Sequence, residues 1–354
     1  MNFILAQAIQ GKIFSGFRAP LITGIIAMAV TWLLTPLVRK FAIAQGVVDD
    51  PKIDDRRVHT EPIPRWGGIA IFGGILVALV AVLPFAYPQR PFPLYLMGIL
   101  VCSAAIVVVG AMDDKLAFKA RTQALFLLAM GVVIQFFVTR VDGHYIGVQI
   151  LGTKLGDHWV SFGWLAVPIT AIYMFVASKT MDTIDGVDGL AAGIAAICAT
   201  TLSIVATYFV FNHPAIEKSS FVELPRVAIV SAAIAGSALG FLRHNYNPAK
   251  IFMGTGGDQT LGFMLAALSI VGVLKVAIAV SMLIPVLAFG VPLFDAAFVI
   301  VRRLLSGQPI TQGDKRHLHH TLLAKGFSQR KTVWVLWFAA AMLCVVVVVV
   351  VHYA

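Results

Sequence analysis

Charge is scarce in this sequence. Asp, Glu, Lys and Arg fill only 12% of its 354 positions, whereas a soluble domain carries about a quarter. Hydrophobic residues fill 59%, and mean hydropathy is +0.89. That balance excludes an ordinary water-soluble globular chain. Cysteine is rarer still, and Cys102, Cys198 and Cys344 all fall inside apolar runs. Their spacing offers neither a zinc site nor a disulfide framework, so they read as small buried hydrophobes. No low-complexity tract, soluble-domain linker or evident repeat interrupts the chain, which points to a single integral membrane domain over 1–354. Net charge is +10. On a soluble protein that would suggest nucleic acid; here the placement of the charge speaks for membrane orientation instead, and no nucleic-acid partner is expected.

Apolar stretches close to the ~20 residues needed to cross a bilayer recur along the whole sequence. They predict an all-α polytopic membrane protein with about ten transmembrane helices, ten or eleven. The ten spans are 19–38, 66–84, 93–111, 123–138, 162–178, 189–211, 227–242, 259–274, 276–301 and 333–352. The first lacks a small-residue cleavage site and is expected to stay in the protein. Residues 1–17 are weakly apolar and suit the membrane interface. Pro285 and Pro292 predict a kinked ninth helix, beside which a lipid tail would lie. Loops 39–65, 112–122, 178–188, 243–258 and 302–332 fall on one side and hold 19 of the 27 basic residues. By the positive-inside rule this side is cytoplasmic and both termini face outward. The same loops hold 12 of the 17 acidic residues. The outward segments are chemically plain, apart from a small β-hairpin expected near 141–160.

The acids come in patterned groups. GAMDDK ends the third span with Asp113 and Asp114, followed by Lys115, Lys119, Arg121 and Gln123. Adjacent carboxylates at a membrane boundary call for a compensating cation or phosphate network. They suit metal-assisted phosphate chemistry, although the loop by itself reads first as a solvated turn whose acids cap the next helix. At 178–193 three aspartates, Asp182, Asp185 and Asp188, stand at spacing three; on a helix, successive pairs would share a face. Neither an EF-hand register nor N-capping accounts for all three. The segment His244–Gly262 carries a glycine-rich turn leading into a helix, which could offer backbone N–H groups to phosphate or simply turn tightly. It is not a Walker sequence. Asp295 and Arg302 could pair on one helical face. His317, His319 and His320 could bind zinc, although their basic neighbours favour a pyrophosphate.

Six segments carry a family resemblance: VHTEPIPRWGGIAIF (58–72), GAMDDK (110–115), DTIDGVDGLAAG (182–193), NPAKIFMG (247–254), PLFDAAFVIVRR (292–303) and DKRHLHHTLLAKGFS (314–328). In this order they resemble the polyprenyl-phosphate N-acetylhexosamine-1-phosphate transferase superfamily, glycosyltransferase family 4. The spaced His-Leu-His-His is similar to the branch that makes lipid-linked GlcNAc rather than to the phospho-MurNAc-pentapeptide branch. The resemblance implies a UDP-GlcNAc-like donor, undecaprenyl phosphate as acceptor, Mg²⁺ (or Mn²⁺) as cofactor and UMP as leaving group. It also implies a cytoplasmic active site in the inner membrane and leaves a homodimer open. Asp113 and Asp114 would lie near the acceptor phosphate, with Lys119 contacting phosphate. Asp185 and Asp188 match the catalytic-loop acids, Asp188 facing uracil. Phe252 would stack on the uracil beside Asn245. Arg316, His317, His319 and His320 would close over the donor diphosphate.

Three positions depart from the pattern. The family usually has Asn where Lys179 and Asp182 stand, and a metal-binding Asp where Thr255 stands. The expectation is that Asp182, with Asp258 and Asp185, supplies the metal's negative charge, while Lys179 joins the substrate-binding set. Two other classes of function remain as alternatives. One is a secondary transporter, disfavoured because the acids gather at one face rather than at mid-bilayer. The other is a non-catalytic membrane scaffold.

Overall fold

The computed structural model describes residues 17–50, 61–87, 92–141, 144–150, 152–155, 158–212, 218–273 and 318–353. Among them the α-helices are α1 (Arg18–Ala44), α2 (Gly67–Ala86), α3 (Leu94–Leu116), α4 (Ala120–Val133), α5 (Ala166–Ile184), α6 (Leu190–Asn212), α7 (Lys218–Asn245), α8 (Thr255–Val273), α9 (Leu318–Ala324) and α10 (Gln329–Tyr353). Seven are long and apolar enough to cross a membrane: α1, α2, α3, α5, α6, α7 and α10. The expected spans 123–138 and 259–274 correspond to α4, which is short, and to α8, whose first turn is polar. The ninth span, 276–301, with its expected kink and Asp295, lies outside the described residues. The all-α polytopic architecture is as the hydropathy requires.

α8 is the hub. Helices α2, α3, α5, α6 and α7 all pack against it, and Leu261, Phe263, Met264, Leu265, Ala266, Ala267 and Leu268 are fully buried. A helix apolar on every side can be satisfied only by protein or lipid all round, and here it is protein. α1 is the opposite case: Leu21, Ile25, Leu33 and Leu37 are exposed along it, as a lipid-facing helix requires. Several hydroxyls inside the bundle are met within their own helix. Thr23, Thr35, Thr170, Ser178 and Thr207 each donate to the carbonyl four residues back, so they add no unpaired polar group to the apolar interior. Buried charge is met by a network. Arg226 donates twice to Glu223, at 2.8 and 3.1 Å. Tyr95 Oη donates to the same carboxylate, and the guanidinium lies 5.0 Å over the Tyr87 ring.

The single hairpin expected near 141–160 is two. β3 (Thr139–Val141) pairs antiparallel with β4 (His144–Ile146), and β5 (Gly152–Leu155) with β6 (His158–Ser161). The reason lies between them: Val148 and Ile150 are drawn into the core, and Ile150 N donates to Thr170 Oγ1 at 2.8 Å. Apolar burial against α5 therefore interrupts what would otherwise run on as one strand. A further antiparallel pair, β1 (Val48–Asp49) with β2 (Ile63–Pro64), precedes α2.

Close helix approach fixes the end of the bundle where the acidic loops meet. A methyl group on Gly110 of α3 would stand 2.3 Å from the Gly256 Cα, and one on Gly68 of α2 would stand 2.4 Å from the Gly257 Cα. Both clashes are with backbone, which cannot swing aside. Gly110→Ala should therefore push α3 off the first turn of α8 and cost about 1–3 kcal/mol, the usual range for overpacking. The check is the apparent melting temperature of the detergent-purified protein. An unchanged melting temperature would show that these helices are not held at this distance.

Candidate active site at the acidic end of the bundle

The C-termini of α3, α5 and α7 and the N-termini of α2, α6 and α8 meet here, and the β1–β2 pair joins them. Backbone hydrogen bonds lace the pieces together. Phe252 N donates to Pro64 O, and Gly67 N and Gly68 N donate to the carbonyls of Phe252 and Met253. Trp66 takes up φ +80° at the entry to α2, a costly conformation for a bulky residue. It is held there by its indole N–H on Ala111 O, at 2.8 Å, and by ring contact with Phe41 at 5.5 Å.

Asp114 sits at the centre. Its side chain is 1% exposed, and its Oδ1 accepts from Arg65 Nη1 at 3.3 Å and from the Thr255 amide and hydroxyl, both at 3.2 Å. The Thr255 amide belongs to the first turn of α8, where unpaired N–H groups and the helix dipole favour an anion. Arg65 also bridges to Asp49 at 3.1 Å, so one guanidinium joins β1 to α3. Asp113 has a different task. It accepts from Phe118 N at 2.8 Å and Gln123 Nε2 at 2.9 Å, which folds the α3–α4 connection back on itself. The two adjacent acids thus divide into a loop anchor and a carboxylate at the junction of three elements.

The three spaced aspartates do not lie on one helix. Asp182 is in the last turn of α5, Asp185 caps that helix, and Asp188 lies in the turn before α6. The chain reverses at Gly189, φ +81°, where a side chain would be strained. Lys179 Nζ holds Asp182 Oδ2 at 2.5 Å and Gln123 Oε1 at 3.0 Å, connecting the α5 acid to the Asp113 loop. Asp188 Oδ2 accepts from Asn247 Nδ2 at 2.9 Å and Ala249 N at 3.0 Å. Loss of hydration, with the Asp182 carboxylate next in weight, pushes the Asp185 acid up to about 8. Asp258, one turn into α8, is 3% exposed, and its Oδ1 is buried without a hydrogen-bond partner.

Asn245 is 1% exposed and committed at both ends, accepting from Gly189 N and donating to Ile251 O, each at 3.0 Å. It thereby joins the turn before α6 to the segment before α8. Phe252 is half-buried beside it, and Lys119 is exposed at the start of α4. The glycine-rich turn serves helix packing rather than displaying free amides, since Gly256 and Gly257 meet α3 and α2 and the Thr255 amide is taken by Asp114. Arg316 and His317 lie outside the described residues, as do the side chains of His319 and His320 at the start of α9. The motif reading passed over Arg65, Trp66 and Gln123 as site residues. Arg65 and Trp66 stand inside the 58–72 segment and Gln123 ten residues past Asp113, so a search for uncharged or cationic partners of each acid would have found them.

The metal expectation meets a plain obstacle. Among the described residues no three His, Cys, Asp or Glu side chains come together to hold an ion. Asp182 is engaged by an ammonium, and Asp114 by a guanidinium and a hydroxyl. Asp182, Asp185 and Asp258 as arranged do not fit a protein-built divalent site.

The profile of "Glycosyl transferase family 4" matches residues 96–273. The chain is 34% identical, over 88% of its length and 80% of the relative's, to a probable undecaprenyl-phosphate N-acetylglucosaminyl 1-phosphate transferase of Bacillus subtilis. The chain belongs to glycosyl transferase family 4. It is a phosphoglycosyltransferase of the membrane-embedded kind. A decaprenyl-phosphate N-acetylglucosaminephosphotransferase of Mycobacterium tuberculosis is 32% identical, covering 89% of this chain and 78% of that one. A phospho-N-acetylmuramoyl-pentapeptide-transferase of Oceanobacillus iheyensis is 27% identical, over 90% and 93%. The order of identities agrees with the branch that the spaced histidines suggested.

Two outcomes test this geometry. Arg65→Met removes the cation shared by Asp49 and Asp114, and transferase turnover should fall on the order of 10²-fold, the scale of a small misplacement of reacting groups. A loss under about threefold would remove Arg65 from the account. The second concerns pH. The Asp185 acid stands at 3.8 in an unperturbed chain and about 8 in the fold, so across that window the folded state keeps a proton that the unfolded state has lost. Stability contributed by this group therefore falls as pH rises from about 4 to 8 and levels above. In EDTA, the apparent melting temperature of Asp185→Asn should decline less over that range than the wild type's. Parallel curves would mean that the carboxyl is already ionised.

Proposed function

We propose that the protein transfers a sugar 1-phosphate, GlcNAc 1-phosphate foremost, from a UDP-sugar to undecaprenyl or a related polyprenyl phosphate. UMP leaves, and the product starts a cell-envelope polysaccharide or teichoic acid. The acidic end faces the cytoplasm of the inner membrane, as the distribution of basic loops argues. The relatives' names support donor sugar and acceptor class. The observation that carries the reading is Asp114, a nearly inaccessible carboxylate held by Arg65 and by the first turn of α8. Structural anchoring alone is already supplied by Asp113 and the glycine contacts; a second carboxylate held by a guanidinium and a helix N-terminus suits a place where phosphates are handled.

The chemistry asks little of a base. An oxygen of the lipid phosphate bonds to the β-phosphorus of the donor, and the bond from that phosphorus to the bridging oxygen breaks, its electron pair leaving on UMP. A lipid phosphate dianion needs no deprotonation; Asp114 would receive the proton of a monoanionic one. Both reactants are anionic, so fixed positive charge and alignment do most of the work. Exposed Lys119 beside the α3–α4 turn would draw the acceptor phosphate. Asp188, fixed by Asn247 and Ala249, would receive the uracil near Phe252. Arg316, His317, His319 and His320 would close over the diphosphate.

Purified protein, UDP-GlcNAc and undecaprenyl phosphate in detergent should release UMP. Asp114→Asn should lower turnover on the order of 10²-fold, the scale of a small misplacement of reacting groups, while the protein stays monodisperse. No UMP from any UDP-N-acetylhexosamine would defeat the proposal.

A further inference from the structure

Asp114, Asp182, Asp185 and Asp258 lie within electrostatic reach of one another in this site, and the cations that act on them are Arg65 and Lys179. Arg65 is fixed to Asp49 and Asp114. Lys179 is fixed as well, which is unusual for a side chain with four rotatable bonds. Its ammonium is 2.5 Å from Asp182 Oδ2, one turn along the same helix, and 3.0 Å from Gln123 Oε1. Gln123 is itself held by Asp113 at 2.9 Å, so the ammonium is set by partners that cannot wander. Yet the Lys179 side chain remains 29% exposed and that of Asp182 26%, which leaves the third ammonium hydrogen open to a ligand. An Mg²⁺ ion would need a carboxylate oxygen at about 2.0–2.1 Å, and it would have to evict the ammonium to take Asp182 Oδ2. Thr255 offers no replacement ligand, because its hydroxyl already donates to Asp114.

We propose that Lys179 is the resident cation of this site: its ammonium, clamped by Asp182 and Gln123, contacts the non-bridging oxygens of the donor diphosphate and takes the charge-neutralising role, so that turnover does not require a divalent metal. The inference rests on the transferase reading above. The step balances without a metal: lipid phosphate dianion and UDP-sugar dianion give a lipid diphosphate dianion and UMP dianion, with one P–O bond formed and one broken. Lys179 contributes hydrogen bonds and charge and keeps its proton throughout.

The test uses the full-length protein, freed of metal with EDTA, and has two readouts. The first needs no substrate: Mn²⁺ binding followed by electron paramagnetic resonance. Wild type should bind Mn²⁺ at least about tenfold more weakly than Lys179→Asn, which releases Asp182 from its ammonium. Equal binding, or weaker binding by the variant, overturns the proposal. The second is UMP release with UDP-GlcNAc and undecaprenyl phosphate. Wild type in EDTA should keep its rate within about threefold of that with Mg²⁺; Lys179→Asn should lose about 10²-fold in EDTA and regain part of it with Mg²⁺, and Lys179→Arg should retain metal-free turnover. Abolition of wild-type turnover by EDTA, with rescue by Mg²⁺, overturns the proposal even if Lys179→Asn does not fold. If no UMP appears under any condition, the transferase reading has failed, and the Mn²⁺ titration still decides the role of Lys179.

Discussion

A carboxylate removed from water at the edge of an apolar bundle must be met by positive charge or by hydrogen-bond donors, and Asp114 is where this protein meets that demand. Its side chain is almost wholly inaccessible, and leaving such a group uncompensated would cost several kcal/mol. The answer is built from three distant parts of the sequence: Arg65 from the segment before α2, the Thr255 amide and hydroxyl from the start of α8, and α3 itself. Satisfying one acid therefore fixes how three elements meet. The hub position of α8, the left-handed Trp66 and the paired glycine crossings hold the same elements at that spacing.

The same logic extends outward as a chain of paired groups. Asp113 holds Gln123, Gln123 holds Lys179, and Lys179 holds Asp182. On the other side Asp188 holds Asn247, which also donates to Gln329 at the start of α10, and Arg330 donates to the Asn247 carbonyl. These links join helix ends to one another and to the turns between them, and they add to the close glycine crossings in fixing this end of the bundle. Apolar contacts between lipid-embedded helices set distance but little register, so polar pairs at the membrane edge decide it.

Much of this was legible in the sequence. Twenty-residue apolar runs must become helices in lipid because every backbone polar group has to be satisfied within the segment, and α1, α2, α3, α5, α6, α7 and α10 obey. The asymmetry of acids and bases along the sequence pointed to the end of the bundle where Asp114, Asp182, Asp188 and Asp258 gather. What escaped was pairing across sequence distance. Nothing in GAMDDK says that Asp113 folds back on Gln123 while Asp114 points to Thr255. Nothing in the spacing of Asp182, Asp185 and Asp188 says that α5 stops at Ile184 and that the chain turns at Gly189. The glycines before Asp258 suggested a phosphate cradle, but close packing against Gly110 and Gly68 claims them. The β-hairpin region was foreseen but not its division into two pairs, because the pull of Val148 and Ile150 into the core depends on α5 lying beneath them.

The departures at Lys179, Asp182 and Thr255 are a single rearrangement in space. A carboxylate on α5 gains a lysine one turn away, and the residue opening α8 becomes a donor to Asp114. Under the proposed transfer, negative charge would stay near the diphosphate and its compensation would be covalently attached to the protein. All of this presumes that the bond broken lies between the two donor phosphates. The direct measurement is transfer from UDP-GlcNAc labelled with ³²P at the β-phosphate. The account predicts that the label moves with the sugar into the polyprenyl lipid and that the released nucleotide is unlabelled UMP. Label remaining in the nucleotide as UDP, with only the sugar carried to lipid, would contradict it.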